Sequence, residues 1–432
     1  VGFFNKLKHM KLDGQKELTI NKDVVDYTRP KKIAIPIKHL ALEDFTVHVK
    51  EGDYVKIGTK LATGNDHIKL PLFSSVSGTV ATTEKRDHVS LRKSSHIIIE
   101  NDFKDEKELL FEPKEDSLLF SDTEIKDHMK NAGILGLGGS GTPTFTKFRN
   151  TKNVTSILIN GVEDEPFISA DEYNMGKFPE LLIKGAVTLM KAADAEECVI
   201  VVKKSKKAIY EEILLFSKEY RGVKVITVPD IYPMGSERSL IKRIWGKTYK
   251  TIPIEAGVIS LNVSTVIEAA RTFASGLPLY ERVITLAGNG FAQSTNVKVR
   301  VGTILSDVIS EIGGYATDLP KTARLIHGGP MMGTPIITDD LSVTSASNGF
   351  VCIVGNDEPE APCSRCGACT NHCPQGLQPM QIARYFKLKD KTALKSLGAG
   401  NCIECGLCSF VCPSFINVAD SCKKGKVLAL QK

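Results

Sequence analysis

Two cysteine runs near the end of the chain constrain its fold more than any other feature. The first is Cys363-Ser-Arg-Cys366-Gly-Ala-Cys369-Thr-Asn-His-Cys373-Pro374, and the second is Cys402-Ile-Glu-Cys405-Gly-Leu-Cys408-Ser-Phe-Val-Cys412-Pro413. Each reads C-x2-C-x2-C-x3-C-P, a spacing that holds a pair of [4Fe–4S] clusters and gives the fourth cysteine of each run to the other cluster. Three thiolates on one tight loop cap three corners of a cube, and the fourth, at a Cys-Pro turn, reaches across. The expected ligand sets are therefore Cys363, Cys366, Cys369 and Cys412 for one cluster, and Cys402, Cys405, Cys408 and Cys373 for the other. Zinc also uses C-x2-C pairs, but a four-ligand zinc site accounts for neither the third cysteine of each run nor the repeated Cys-Pro. A chain built this way moves single electrons.

The rest of the composition narrows the setting. Eight of the 11 cysteines belong to the two runs, leaving Cys198, Cys352 and Cys422, so a reducing compartment is expected and a disulfide framework is not. The formal charge of +6 treats those eight thiols as neutral. An oxidised cube with four thiolates carries about −2, so two cubes bring the loaded chain to about +2. The basic excess is then no argument for nucleic acid. A length of 432 residues exceeds what one core holds and implies about three domains. Apolar runs such as residues 198–202 are strand-sized, far below the roughly 20 residues of a membrane span. Residues 1–8 lack the apolar core of a secretory signal.

Residues 1–30 read as polar and irregular. From 31 to 100 the pattern is all-β, with short alternating runs broken by turn signals at Gly52, Gly58 and Gly64. The order Gly52-Asp-Tyr-Val55-Lys-Ile-Gly58, then Ser77-Gly78-Thr-Val80, resembles a biotinyl- or lipoyl-type barrel sandwich. Lys69 lacks the Asp-Lys-Ala or Met-Lys-Met setting of a carrier lysine, so the expectation is a structural sandwich without a swinging arm. After a charged linker, Ser121-Asp-Thr-Glu124 is a capping-box pattern before a short helix to about Asn131.

A glycine loop follows, with Gly136, Gly138, Gly139 and Gly141 before Pro143 and Lys147. Its G-x-G-x-x-G is not a Rossmann fingerprint, because a helix and not a strand precedes it. Its physical content survives: clustered glycines let backbone amides approach an anion or a flat ring. A helix after Pro143 would favour phosphate at its N-terminus, with Lys147 adding a charge. A strand at 155–159 then leads into Asn160-Gly-Val-Glu163-Asp164-Glu165-Pro166, where ligands of open α/β sheets bind. Three adjacent acids gain from a partner such as ribose hydroxyls; a solvated acidic turn is the alternative. Helices near 179–193 and 206–220 alternate with strands at 198–202 and 223–228, which predicts a largely parallel sheet. Residues 281–345 read as a small β-grasp module with a hairpin near Gly290. A Pro-containing linker, 356–362, delivers the chain to the cysteines and would let them dock or move as a separate domain.

The whole order resembles the C subunits of Rnf complexes, membrane-attached ferredoxin:NAD⁺ oxidoreductases, and its core resembles the flavin-binding subunit of respiratory complex I. The resemblance implies an α/β multidomain chain: an N-terminal segment (1–30), a barrel-sandwich β domain (31–100), an α/β FMN/NADH-binding domain (115–280), an SLBB-type β-grasp (281–345) and an α-helical two-cluster ferredoxin domain (355–432). It implies FMN, two [4Fe–4S] clusters, and NAD(H) as substrate. Matching the relatives' motifs residue by residue gives Gly136, Gly138, Gly139, Gly141 and Lys147 in the loop, then Asn160, Glu163 and Glu165, then Glu237 from a Gly-Glu-Glu-like segment, and Asn262. Two positions depart: the relatives' aspartate is Val162 here, and one flavin-facing Asn is Leu261. No side chain is implied as acid or base, since hydride transfer takes place at the flavin. The implied partners are the D and B subunits of the Rnf complex, with ferredoxin reached indirectly, at the cytoplasmic face of the membrane. A soluble relative serving a dedicated reductase such as proline reductase, or a wiring scaffold with a vestigial nucleotide site, are the alternatives.

Overall fold

In this computed structural model residues 10–114, 116–355 and 358–431 are described. Residues 1–8, which lack the apolar core of a secretory signal, and residues 356–357 of the expected linker lie outside them.

The first module is a β sandwich. Strands Lys32–Pro36, Ser94–Asn101, Gly78–Arg86 and Tyr54–Val55 form one antiparallel sheet, and Phe45–Val47, Lys60–Gly64 and Pro71–Phe73 the other. Alternate residues point inward, so Ile33, Ile35, Leu61, Val80, Ile97 and Ile99 fill the space between the layers.

The glycine loop leads into an all-parallel sheet of Val223–Val228, Glu197–Lys203, Ser156–Gly161 and Val258–Asn262, in that spatial order. Both faces are buried, which is why these strands read as continuous apolar runs. Ile157, Ile159, Ile200 and Val202 face helices Asp122–Asn131, Pro179–Ala193 and Val263–Ser275. Leu158, Val199 and Val201 face helix Glu237–Trp245 on the other side. The capping box is present, with Ser121 Oγ accepting from Glu124 N and Glu124 accepting from Ser121 N. The strand order reverses at Ser156–Gly161, whose neighbours are Glu197–Lys203 on one side and Val258–Asn262 on the other. Asn160 pairs with Asn262 at the carboxyl ends of the latter pair.

A six-stranded mixed sheet follows, ordered Val25–Tyr27, Thr295–Arg300, Glu281–Ala287, Gly349–Val354, Ala323–His327 and Thr334–Ile336, with helix Leu305–Glu311 packed on it. The expected hairpin at Gly290 joins its second and third strands. Two of its strands fall outside the segment read as β-grasp. Residues 1–30 are not wholly irregular: Val25–Tyr27 runs parallel to Thr295–Arg300. Gly349–Val354, beyond residue 345, is a central strand. A three-residue strand carries no period to read, and its partner lies some 270 residues away in sequence.

The cysteine module is helical. Pro379–Lys387, Lys391–Ser396 and Val418–Leu430 pack around Leu377, Ile382, Leu394 and Cys422. The two runs are conformational repeats: Arg365 and Gly367 match Glu404 and Gly406, all with positive φ, before helical turns Ala368–Asn371 and Leu407–Phe410. Among the described residues no helix is long and apolar enough to cross a membrane.

Candidate functional site

Open α/β sheets bind ligands beyond the strand ends where the order reverses. Here that crevice lies over Asn160 and Asn262, and the glycine loop folds across it. The loop is closed by Gly136 N to Thr142 O (2.8 Å) and Gly141 N to Gly136 O (2.9 Å). Leu137 N donates to Thr265 Oγ1 (2.8 Å), seating the loop on helix Val263–Ser275. At Gly138 a Cβ would lie 2.8 Å from Asn262 Nδ2, so only glycine brings the backbone this close. Gly139 has φ +91°, where a side chain is strained, and a Cβ there would lie 3.9 Å from Asn348 Nδ2. The barrel sandwich steadies the far side, where His39 Nε2 donates to Gly141 O (2.6 Å).

Two cavities of about 470 and 540 Å3 meet there, sharing Gly138, Asn160, Gly235, Glu237 and Asn262. Lys147 lines the larger one, and its Nζ donates to Ser260 O (2.7 Å). Burial lowers its pKa. The helix expected after Pro143 is a five-residue 3-10 turn, Thr144–Phe148. So short a turn aligns few peptide dipoles, and any phosphate held here depends on Lys147 and the loop amides instead.

The acidic triple is not a solvated turn. Glu163 Oε1 accepts from Asp171 N (2.9 Å), and its Oε2 takes Glu172 N (3.2 Å) and the buried Lys16 Nζ (3.3 Å). It therefore holds the start of helix Ala170–Lys177 while lining the smaller cavity. Asp164 accepts from Gly235 N, and burial raises its pKa to about 6. Glu165 Oε2 accepts from Met331 N (3.1 Å), whereas its buried Oε1 has no partner. Burial pushes this carboxyl up to about 7. Asn160 Nδ2 donates to Gly235 O (2.8 Å), and Glu237 Oε1 accepts from Tyr249 Oη (3.2 Å). Asn262 Oδ1 caps helix Val263–Ser275 through Ser264 N (2.9 Å), while its Nδ2 donates to Asp171 Oδ2 (2.6 Å).

The ten residues expected around the nucleotide thus surround two joined cavities, apart from Gly139 and Gly141, which stand on the loop behind the walls. Sequence reading missed Asp171 and Arg282. Asp171 is half-buried, with a pKa raised to about 6 by desolvation and by Glu163. Arg282, on strand Glu281–Ala287, donates to Leu137 O (3.3 Å) and Ser345 O, and burial lowers its pKa to about 10. Neither sits in a motif; each arrives from a different stretch of chain.

The eight array cysteines divide between two further cavities in the expected crossed way. Cys363, Cys366, Cys369 and Cys412 line an open one of about 1090 Å3. Cys402, Cys405, Cys408 and Cys373 line a closed one of about 30 Å3, joined by Cys422. Among the described residues no three His, Cys, Asp or Glu side chains converge on a single-ion position. A cube spreads its four thiolates over separate corners, so the grouping of four sulfurs around a cavity fits it. Flavin mononucleotide fits the crevice by the same kind of test: a cavity of suitable size, a Cβ-intolerant glycine approach and a half-buried cation, Lys147, on the wall. The two regions touch. Cys402 and Cys405 also line the smaller crevice cavity, Tyr232 Oη donates to Cys405 O (2.6 Å), and a Cβ on Gly406 would collide with Met331 O.

Fold and site together define an iron–sulfur flavoprotein. Residues 129–271 match the Nuo51 FMN-binding domain, residues 8–104 the RnfC barrel sandwich hybrid domain, and residues 362–417 a 4Fe-4S dicluster domain. The C subunit of the Na⁺-translocating ferredoxin:NAD⁺ oxidoreductase complex of Acetobacterium woodii is 31% identical over 83% of this chain and 82% of its own. The corresponding subunit of the proton-translocating complex of Clostridium ljungdahlii is 30% identical over 86% of this chain and 82% of its own. Its counterpart in the ion-translocating oxidoreductase complex of Rhodobacter capsulatus is 29% identical over 89% and 75%. This chain belongs to the RnfC family, the C subunits of ion-translocating ferredoxin:NAD⁺ oxidoreductase complexes.

Proposed function

We propose that this chain passes electrons between NAD(H) and a partner protein through FMN and two [4Fe–4S] clusters, as the C subunit of an Rnf complex. The observation that carries this reading is the shared wall: one cavity is lined by Asn160 and Glu165 and also by Cys402 and Cys405. Bound FMN supplies the exchange between a two-electron hydride and single electrons that NAD(H) and cubes require. The protein contributes position and electrostatics. Gly136 and Gly138 admit the ring and phosphate to the backbone, Gly139 and Gly141 let the loop turn at positive φ, and Lys147 neutralises the phosphate. Asn160, Glu163, Glu237 and Asn262 hold the walls, and Glu165 presents its unpartnered oxygen to the nucleotide. Cys402, Cys405, Cys408 and Cys373 would hold the cluster next to the crevice, and Cys363, Cys366, Cys369 and Cys412 would hold the one that faces the partner. The D and B subunits of the Rnf complex are the partners of this reading, with ferredoxin reached through them, and the chain sits at the cytoplasmic face of the membrane.

Protein reconstituted with iron, sulfide and FMN is expected to bind flavin stoichiometrically and to reduce ferricyanide with NADH. Gly138→Ala, which drives a methyl against Asn262, is expected to weaken FMN binding at least tenfold, about 1.4 kcal/mol. Glu165→Ala and Gly139→Val are expected to lose the NADH–ferricyanide activity. Clusters without flavin or NADH binding in the unaltered protein would refute the reading.

A further inference from the structure

The open cysteine cavity carries a feature that the electron path leaves unused. Cys363 and Cys366 on its wall are exposed, whereas Cys405 in the closed cavity is 8% exposed. Around the opening stand Arg365, Arg384 and Lys387, all exposed, with the exposed Leu388 beside them. No residue lining this cavity is acidic. None of the three cations is in an ion pair among the described residues; Arg384 lies 5.8 Å over the Tyr385 ring. Of the acids close in sequence, Asp390 caps helix Lys391–Ser396, Asp420 pairs with Lys424 at 2.7 Å and Glu360 accepts from Asn417 N (3.0 Å), and none of them lines the cavity.

Uncompensated cations around an exposed redox site, with a leucine among them, attract and orient an anionic partner. We propose that this face docks a protein electron carrier that presents carboxylates around its own redox centre. An anionic lipid layer would satisfy the charge. It would not satisfy the shape, because the cations rim a concavity with the cysteines on its wall, and a flat lipid surface gives the cluster no electron acceptor. The inference rests on the electron path proposed above and adds the chemistry and location of its far end.

The test uses the protein loaded with clusters and flavin and an acidic two-cluster ferredoxin as the probe. The clusters are reduced photochemically, so that docking is read independently of NADH. Bleaching of the flavin by NADH, measured separately, tests the path itself. Arg384→Glu with Lys387→Glu is expected to slow reduction of the probe at least about tenfold at low salt and to flatten its decline as salt is added. Arg384→Gln with Lys387→Gln is expected to fall between. NADH bleaching of the flavin is expected to match the unaltered protein, since neither residue lines the crevice cavities. Equal rates and equal salt slopes in all three proteins would overturn the proposal. So would unchanged probe reduction with loss of flotation on phosphatidylglycerol/phosphatidylcholine vesicles, which would assign the face to lipid.

Discussion

Glu165 is the side chain in the crevice with the least compensation. One oxygen accepts a backbone N–H and the other is buried without a partner, so ionisation is penalised and its pKa rises from 4.5 to about 7. The folded chain therefore binds more protons here than the unfolded chain between about pH 4.5 and about 7, and stability falls as pH rises through that window. Glu165→Gln keeps the acceptor for Met331 N and removes the titration. In flavin-free protein it is expected to gain on the wild type from about pH 4.5 to about 7, by up to about 3 kcal/mol, and then to run parallel in thermal or urea unfolding. A constant offset would mean that Glu165 is ionised throughout. At this scale the sequence was informative wherever chemistry is local. The cysteine spacing anticipated the crossed grouping, so Cys373→Ala is expected to remove the iron signal of the closed cavity while the open one keeps its own. Glu165 and Asn262 were legible as motif positions. Asp171 and Arg282 were not, because a buried charge shows in sequence only if its partners are close in the chain.

Elements that announce themselves by period or cap were legible; those that depend on distant pairing were not. The capped helix Asp122–Asn131 and the helix Pro179–Ala193 follow from Ser121, Glu124 and an apolar stripe. Edge strand Val25–Tyr27 exists only because Thr295–Arg300 offers it a ladder. The segment after Pro143 read as a helix favouring phosphate, but it is the 3-10 turn Thr144–Phe148, with Lys147 Nζ donating to Ser260 O. Helix Val263–Ser275 shows how an element and the site are tied. Asn262 caps it with one atom and holds Asp171 with another. Asn262→Ala is expected to cost about 1 kcal/mol for the cap and further for the abandoned Asp171, with weaker FMN binding. Asn262→Asp keeps the cap acceptor but sets two carboxyls together. Its deficit is expected to grow as pH rises through about 6, where Asp171 ionises. A pH-independent deficit would separate Asp171 from this contact.

For the whole molecule, the decisive question is how the cysteine module sits. Its linker composition was compatible with a tethered, mobile domain. The structure instead docks it on the crevice through Tyr232, Leu407 and Cys405, with Met10, Leu12 and Met331 packed against them. Such a joint is invisible in sequence, since it draws on four segments more than 70 residues apart. It also explains why Gly406 must be glycine beyond its φ of +76°: Met331 O occupies the space of a Cβ. Met331 N in turn holds Glu165, so a single backbone segment touches both the carboxylate at the nucleotide cavity and the loop of the closed cysteine cavity. Tyr232→Phe tests this joint with little change in packing. It leaves the Cys405 carbonyl without its 2.6 Å donor, a cost of about 1–3 kcal/mol if water cannot replace it. The variant is expected to bleach its flavin with NADH at the normal rate, to reduce its clusters more slowly, and to become more sensitive to proteolysis in the segment before Cys363. Normal cluster reduction with increased proteolysis would show that electron passage does not depend on this contact.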